Sequence, residues 1–135
     1  MRLFAREPAE DLVARRTLRA GRFLMAVAAL HAAFGLWIGR RALVAIARDG
    51  FVNAVAPHLD RSFVFWFLLA SPFLWIVGRF AVWVASEGRR PPVWFGKSLL
   101  ALALAGVLLA PVSGFWLILL PAAWLWLAAR APRRA

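Results

Sequence analysis

The chain has 135 residues, 64% of them hydrophobic and none of them cysteine, and its 17 Lys+Arg against 6 Asp+Glu give a net charge of +11. An average soluble domain is only about 45–50% apolar with glycine included and would have nowhere to bury the surplus, while a disordered chain is poor in apolar and aromatic residues. The missing cysteines exclude disulfide frameworks, thiolate metal sites and cysteine nucleophiles together.

In a soluble protein such an excess of base would point to nucleic acid. The placement argues against that partner: residues 23–39, 62–78 and 98–129 carry no Asp, Glu, Lys or Arg, and the basic residues sit between and beside these stretches. Flanking charge of this kind belongs to membrane topology, with the lipid bilayer as the partner. A spanning helix needs roughly 20 mostly apolar residues, so the composition suffices for four spans.

Residues 1–22 are expected to form a separate basic cytoplasmic segment holding Arg2, Arg6, Arg15, Arg16, Arg19 and Arg22. Pro8 followed by Glu10 and Asp11 has the form of a helix start, because proline is tolerated in the first turn and acids favour the positive end of the helix dipole. A short interfacial helix on an anionic leaflet would suit it, and so would a solvated tail whose arginines set orientation. The first span is expected over about 23–39, with Arg22 and Arg40 snorkelling at its ends. Residues 40–61 are expected to be an outer loop with a short interfacial helix, since Asp49-Gly50 signals a turn and Pro57 forbids a continuous helix.

The second span is expected over about 62–85, kinked at Pro72, with Arg79 close enough to the end to act as a headgroup anchor. The third runs over about 93–110 with Lys97 snorkelling back, and the fourth over about 115–129, kinked at Pro121. One helix over 93–129 would be about 55 Å long, far beyond a bilayer. The chain is therefore expected to turn at Pro111-Val112-Ser113-Gly114, with Ser113 capping the last helix. A basic tail, 131–135, follows.

Four spans put both ends on one side. Thirteen basic residues then share that side against four, Arg40, Arg41, Arg48 and Arg61, on the other. The positive-inside rule makes the richer side cytoplasmic. In this threading Trp37, Trp66 and Trp116 fall near the outer face and Trp83, Trp94, Trp124 and Trp126 near the inner one, as aromatic belts require.

Few residues carry chemistry. His31 lies mid-span and shares a helix face with Ala28 and Gly35, small residues that mark close helix approach. An intramembrane ionisable residue suggests function; its structural alternative is a bond to a backbone carbonyl or to Ser71, at comparable depth. A haem would need a second axial ligand, and His58 falls in the outer loop. No nucleophile, metal or phosphate-loop motif occurs, so neither a cofactor nor an enzymatic activity is expected.

Leu30-His31-Ala32-Ala33-Phe34-Gly35, Phe65-Trp66-Phe67-Leu68 through Pro72 to Gly78, and Pro111-Val112-Ser113-Gly114-Phe115-Trp116 resemble a family of small four-helix bacterial membrane proteins classed as a domain of unknown function, numbered 6463. The resemblance covers about residues 21–130; Ala70-Ser71 stands where glycine is expected. It implies an integral membrane four-helix protein and supplies no activity. The expectation is thus an all-α, four-span inner-membrane protein. It would be a non-enzymatic accessory or structural component that associates with itself or a larger complex, or else a ligand-binding or transport protein with a cavity near His31.

Overall fold

The computed structural model describes residues 8–132. The expected basic tips at 1–7 and 133–135 lie outside the described residues. Four α-helices follow one another: α1 Pro8–Arg48, α2 Leu59–Ser86, α3 Val93–Leu109 and α4 Trp116–Arg130. No strand occurs among the described residues.

The helix limits follow backbone chemistry rather than charge. α1 opens at Pro8 with Glu10 and Asp11 in its first turn and runs for 41 residues, about 60 Å. The separate interfacial helix expected before residue 23 is therefore the first part of α1. The loop expected from residue 40 begins only at Asp49. Arg40 and Arg41 end an apolar stretch, but nothing in residues 40–48 breaks a helix.

Glycine stops both long helices. Gly50 (φ 88°) and Gly88 (φ 65°) take the left-handed conformation. The amides of Phe51 and Arg89 then reach back to Ile46 O (3.1 Å) and Val84 O (3.0 Å). Those of Gly50 and Gly88 reach Ala47 O and Ala85 O. Together these bonds form a Schellman cap on each helix.

The chain divides into two compact units, one built from residues up to Leu24 and from Val77 onward, the other from Met25–Ile76. In the first, Val13, Thr17, Ala20, Gly21 and Leu24 form a buried helical stripe on α1. The Thr17 hydroxyl donates to Val13 O at 2.9 Å, so its polar atom is satisfied. A methyl on Gly21 would lie 2.7 Å from Gly78 O and 2.8 Å from Val82 Cγ2, so only glycine allows the end of α2 this close. α3 and α4 pack as a hairpin: a methyl on Gly96 would lie 2.5 Å from the Trp126 backbone nitrogen, and Gly106 is covered by the Phe115 ring. Phe80 meets Phe95 edge-on at 5.1 Å, and Phe23 meets Trp124 at 6.1 Å. Arg90 closes the far end by donating to Ala131 O at 2.5 Å and Pro132 O at 3.3 Å.

The hairpin turn falls between Leu109 and Trp116, at the expected Pro111-Val112-Ser113-Gly114. Ser113 does not cap α4, however. The N-cap is Phe115, without a side-chain bond, and the Ser113 hydroxyl donates backward to Ala110 O at 2.5 Å. Trp116 Nε1 donates to Pro111 O at 2.9 Å and holds the turn from the other side.

The second unit is a helical hairpin. Ala28, Gly35, Gly39, Ala42 and Ile46 form the buried face of α1. A methyl on Gly35 would lie 2.6 Å from Leu68 Cδ2, and one on Gly39 would lie 2.5 Å from Val64 Cγ1. As α1 advances one turn, its partner on α2 retreats one turn, so the helices are antiparallel. Arg61 fixes the connecting loop: its guanidinium donates to Asp49 Oδ2 and to Ala54 O, both at 2.7 Å. The Arg61 side chain is 11% exposed but that of Asp49 is 52% exposed, so the ion pair itself contributes little and the bond to Ala54 O holds the loop.

Crowded and open glycines should respond differently. Gly96→Ala must push two backbones apart and should destabilise the protein by about 1–3 kcal/mol. Gly114→Ala, with nothing within 4 Å of its added methyl, should change stability by less than about 0.5 kcal/mol. Thermal unfolding in detergent checks both; equal shifts would contradict the packing described here.

Candidate functional site

His31 projects from the buried stripe of α1, between Ala28 and Gly35. Its Nε2 lies 3.0 Å from Phe67 O on α2, and its ring stacks on the Phe67 ring at 4.0 Å with a 13° interplanar angle. A carbonyl can only accept, so Nε2 carries the proton. Small neighbours on α1 create the room for this contact, as the sequence spacing suggested, and the partner is a backbone carbonyl rather than Ser71.

Ser71 is buried, at 6% exposed, and its hydroxyl has no partner. A helical serine ordinarily donates to the carbonyl four residues earlier, here Phe67 O. A carbonyl has two lone pairs. The His31 ring N–H takes one, and the other faces the Ser71 amide in the i, i+4 pattern of the helix. The His31 N–H thus competes with the Ser71 hydroxyl for Phe67 O, the i−4 acceptor of a helical serine. Pro72, inside α2, lacks an amide proton and leaves Leu68 O without its helical donor. His31 and Ser71 are thus linked through one oxygen without bonding to each other. Phe67 was the residue that sequence reasoning missed, since a backbone carbonyl leaves no compositional trace.

The expected anchors lie on outward faces. In the first unit, Gly21 lies against Gly78 and Val82, which brings the following residues, Arg22 and Arg79, to one level; both are exposed, as is Lys97 on α3. In the second unit, Gly39 lies against Val64, so Arg40 and Arg61 flank the same level. Arg40 is exposed and donates to Trp37 O at 3.3 Å. Trp37, Trp66 and Trp116 are all exposed. Arg61 is the exception to a simple flanking role, since it clamps the loop. Among the described residues no three His, Asp or Glu side chains gather as metal ligands.

A double-mutant cycle should expose the shared oxygen. His31→Leu removes one hydrogen bond and should cost about 1 kcal/mol. Ser71→Ala removes an unsatisfied buried hydroxyl and should be neutral or stabilising in the parent. In the His31→Leu background the hydroxyl can back-bond to Phe67 O, so the same change should become unfavourable. Strict additivity in denaturant or thermal unfolding would refute the shared-acceptor geometry.

No curated protein and no solved structure matches the chain. The model of one family, described as "Family of unknown function (DUF6463)", matches residues 15–133. The match begins inside the basic segment that had been expected to lie outside the resemblance, where Thr17, Ala20 and Gly21 are already part of a packed helix face. With most of its length covered, the chain belongs to this family of unknown function.

Proposed function

We propose that the chain is a multi-pass integral protein of a bacterial inner membrane, with four lipid-embedded helices bent at Pro72 and Pro121 and both ends cytoplasmic. In this reading it is a non-enzymatic accessory or structural component that associates with itself or with a larger membrane complex. Its apolar outward surface carries the proposal. α1 and α2 are long and apolar enough to cross a bilayer, yet only 28% and 22% of their most apolar windows are buried. Trp37, Ile76 and Leu102 are among the large side chains facing outward. An exposed apolar surface this extensive is foreign to a monomer in water.

Charge supports the same solvent. Residues 23–39 and 62–78 are each 17 residues without formal charge, about 25 Å of helix. Arginines end the first at Arg22 and Arg40, and the second at Arg61 and Arg79. α3 and α4, at 17 and 15 residues, are each about 22–26 Å long, short for a full span unless the turn and flanking residues complete the crossing. The structural reading of His31 is favoured because its ring N–H is already engaged. No Asp or Glu lies in the apolar stretches to serve as a proton relay.

The absence of native cysteine permits a clean test with an impermeant maleimide on spheroplasts. Val52→Cys should label from outside, and Ser86→Cys only after lysis, with the protein retained in carbonate-washed membranes. Recovery in the soluble fraction, or labelling of Ser86→Cys in intact spheroplasts, would contradict the proposal.

A further inference from the structure

Within the second unit, α1 and α2 border a groove of about 400 Å³ lined by Ile38, Arg41, Ala42, Asp60, Phe63 and Val64. Each helix contributes residues spaced i, i+3 and i+4, so the groove follows the helix–helix seam. Its floor is apolar, with Ala42 and Val64 buried. Gly39 faces Val64, which places Ile38 and Phe63 toward the uncharged stretches and Arg41 and Asp60 toward their charged ends.

The two rim charges are opposite in sign, exposed and unpaired with each other: among the described residues the single ion pair is Arg61–Asp49. The neighbouring cations are otherwise engaged, Arg61 with Asp49 and Ala54 O, and Arg40 with Trp37 O. The groove therefore offers one guanidinium and one carboxylate above apolar walls. A ligand that complements it carries, from the surface inward, a cation, an anion and a hydrocarbon tail.

Resting on the membrane reading above, we infer that this groove binds a zwitterionic phospholipid with a primary ammonium headgroup. Arg41 donates to the phosphate, Asp60 accepts from the ammonium, and an acyl chain lies along Ile38 and Phe63. The ammonium supplies hydrogen-bond donors that a choline headgroup lacks, and a glycerol headgroup leaves Asp60 without a cation.

The test uses the full chain in mild detergent with equal amounts of phosphatidylethanolamine, phosphatidylcholine and phosphatidylglycerol, with retained lipid counted by native mass spectrometry. Phosphatidylethanolamine should be retained in preference to the other two. Asp60→Asn should weaken its retention roughly tenfold, the size of one lost charge-assisted contact, and leave phosphatidylglycerol unchanged. Asp60→Glu should keep the preference, and Arg41→Gln should weaken retention of all three phospholipids, whereas Arg48→Gln should weaken none of them. Equal retention of the three lipids, or a preference that survives Asp60→Asn, would overturn the groove's role. Recovery of the chain in water without detergent would instead overturn the membrane reading itself.

Discussion

The architecture depends on the close approach of antiparallel helices at positions where no side chain fits. Gly21 lies against Gly78 and Val82 in one unit, and Gly35 and Gly39 lie against Leu68 and Val64 in the other. These contacts set the register between α1 and α2 in each unit. Arg22 is thereby level with Arg79, and Arg40 stands beside Arg61. The same device operates in the α3–α4 hairpin, where Gly96 and Gly106 meet Trp126 and Phe115. In the proposed lipid setting apolar burial would give little drive, and close van der Waals packing would take its place. A glycine that admits a neighbouring backbone contributes more there than a leucine would.

Buried polar groups need partners from within the fold. Arg61 satisfies the loop carbonyl of Ala54, and Arg90 the carbonyl of Ala131 after α4. His31 meets the same need by donating to Phe67 O. Ser71, four residues after Phe67, is buried and its hydroxyl has no partner. The polar cluster thus reads as a helix-joining contact, with Pro72 one residue further along α2.

Much of this was legible in the residues. Asp49-Gly50 marks the break after α1, Pro111-Val112-Ser113-Gly114 marks the hairpin turn, and Ala28, His31 and Gly35 fall on one face. The ends of α1 were misread because charge does not end a helix, which stops only where its backbone is broken. Arg22 and Arg40 bound the apolar stretch, yet α1 extends past both, by 14 residues to Pro8 and by 8 to Arg48. Ser113 has the right chemistry for an N-cap, but its hydroxyl finds Ala110 O first. Arg61 reads as one more flanking cation until the loop it clamps is seen.

The central claim is that lipid solvates α1 between Arg22 and Arg40 and water solvates it beyond them. Spin labels at the outward-facing positions Arg22, Ala26, Ala29, Ala33, Trp37, Arg40 and Val44, placed one at a time in the vesicle-reconstituted chain, test this most directly. The measured quantity is the ratio of collisions with oxygen to collisions with a water-soluble nickel complex. The account requires a ratio that peaks near Ala29 and Ala33 and falls to aqueous values at Arg22, Arg40 and Val44. A flat profile, with nickel reaching the middle positions as readily as the ends, would contradict it.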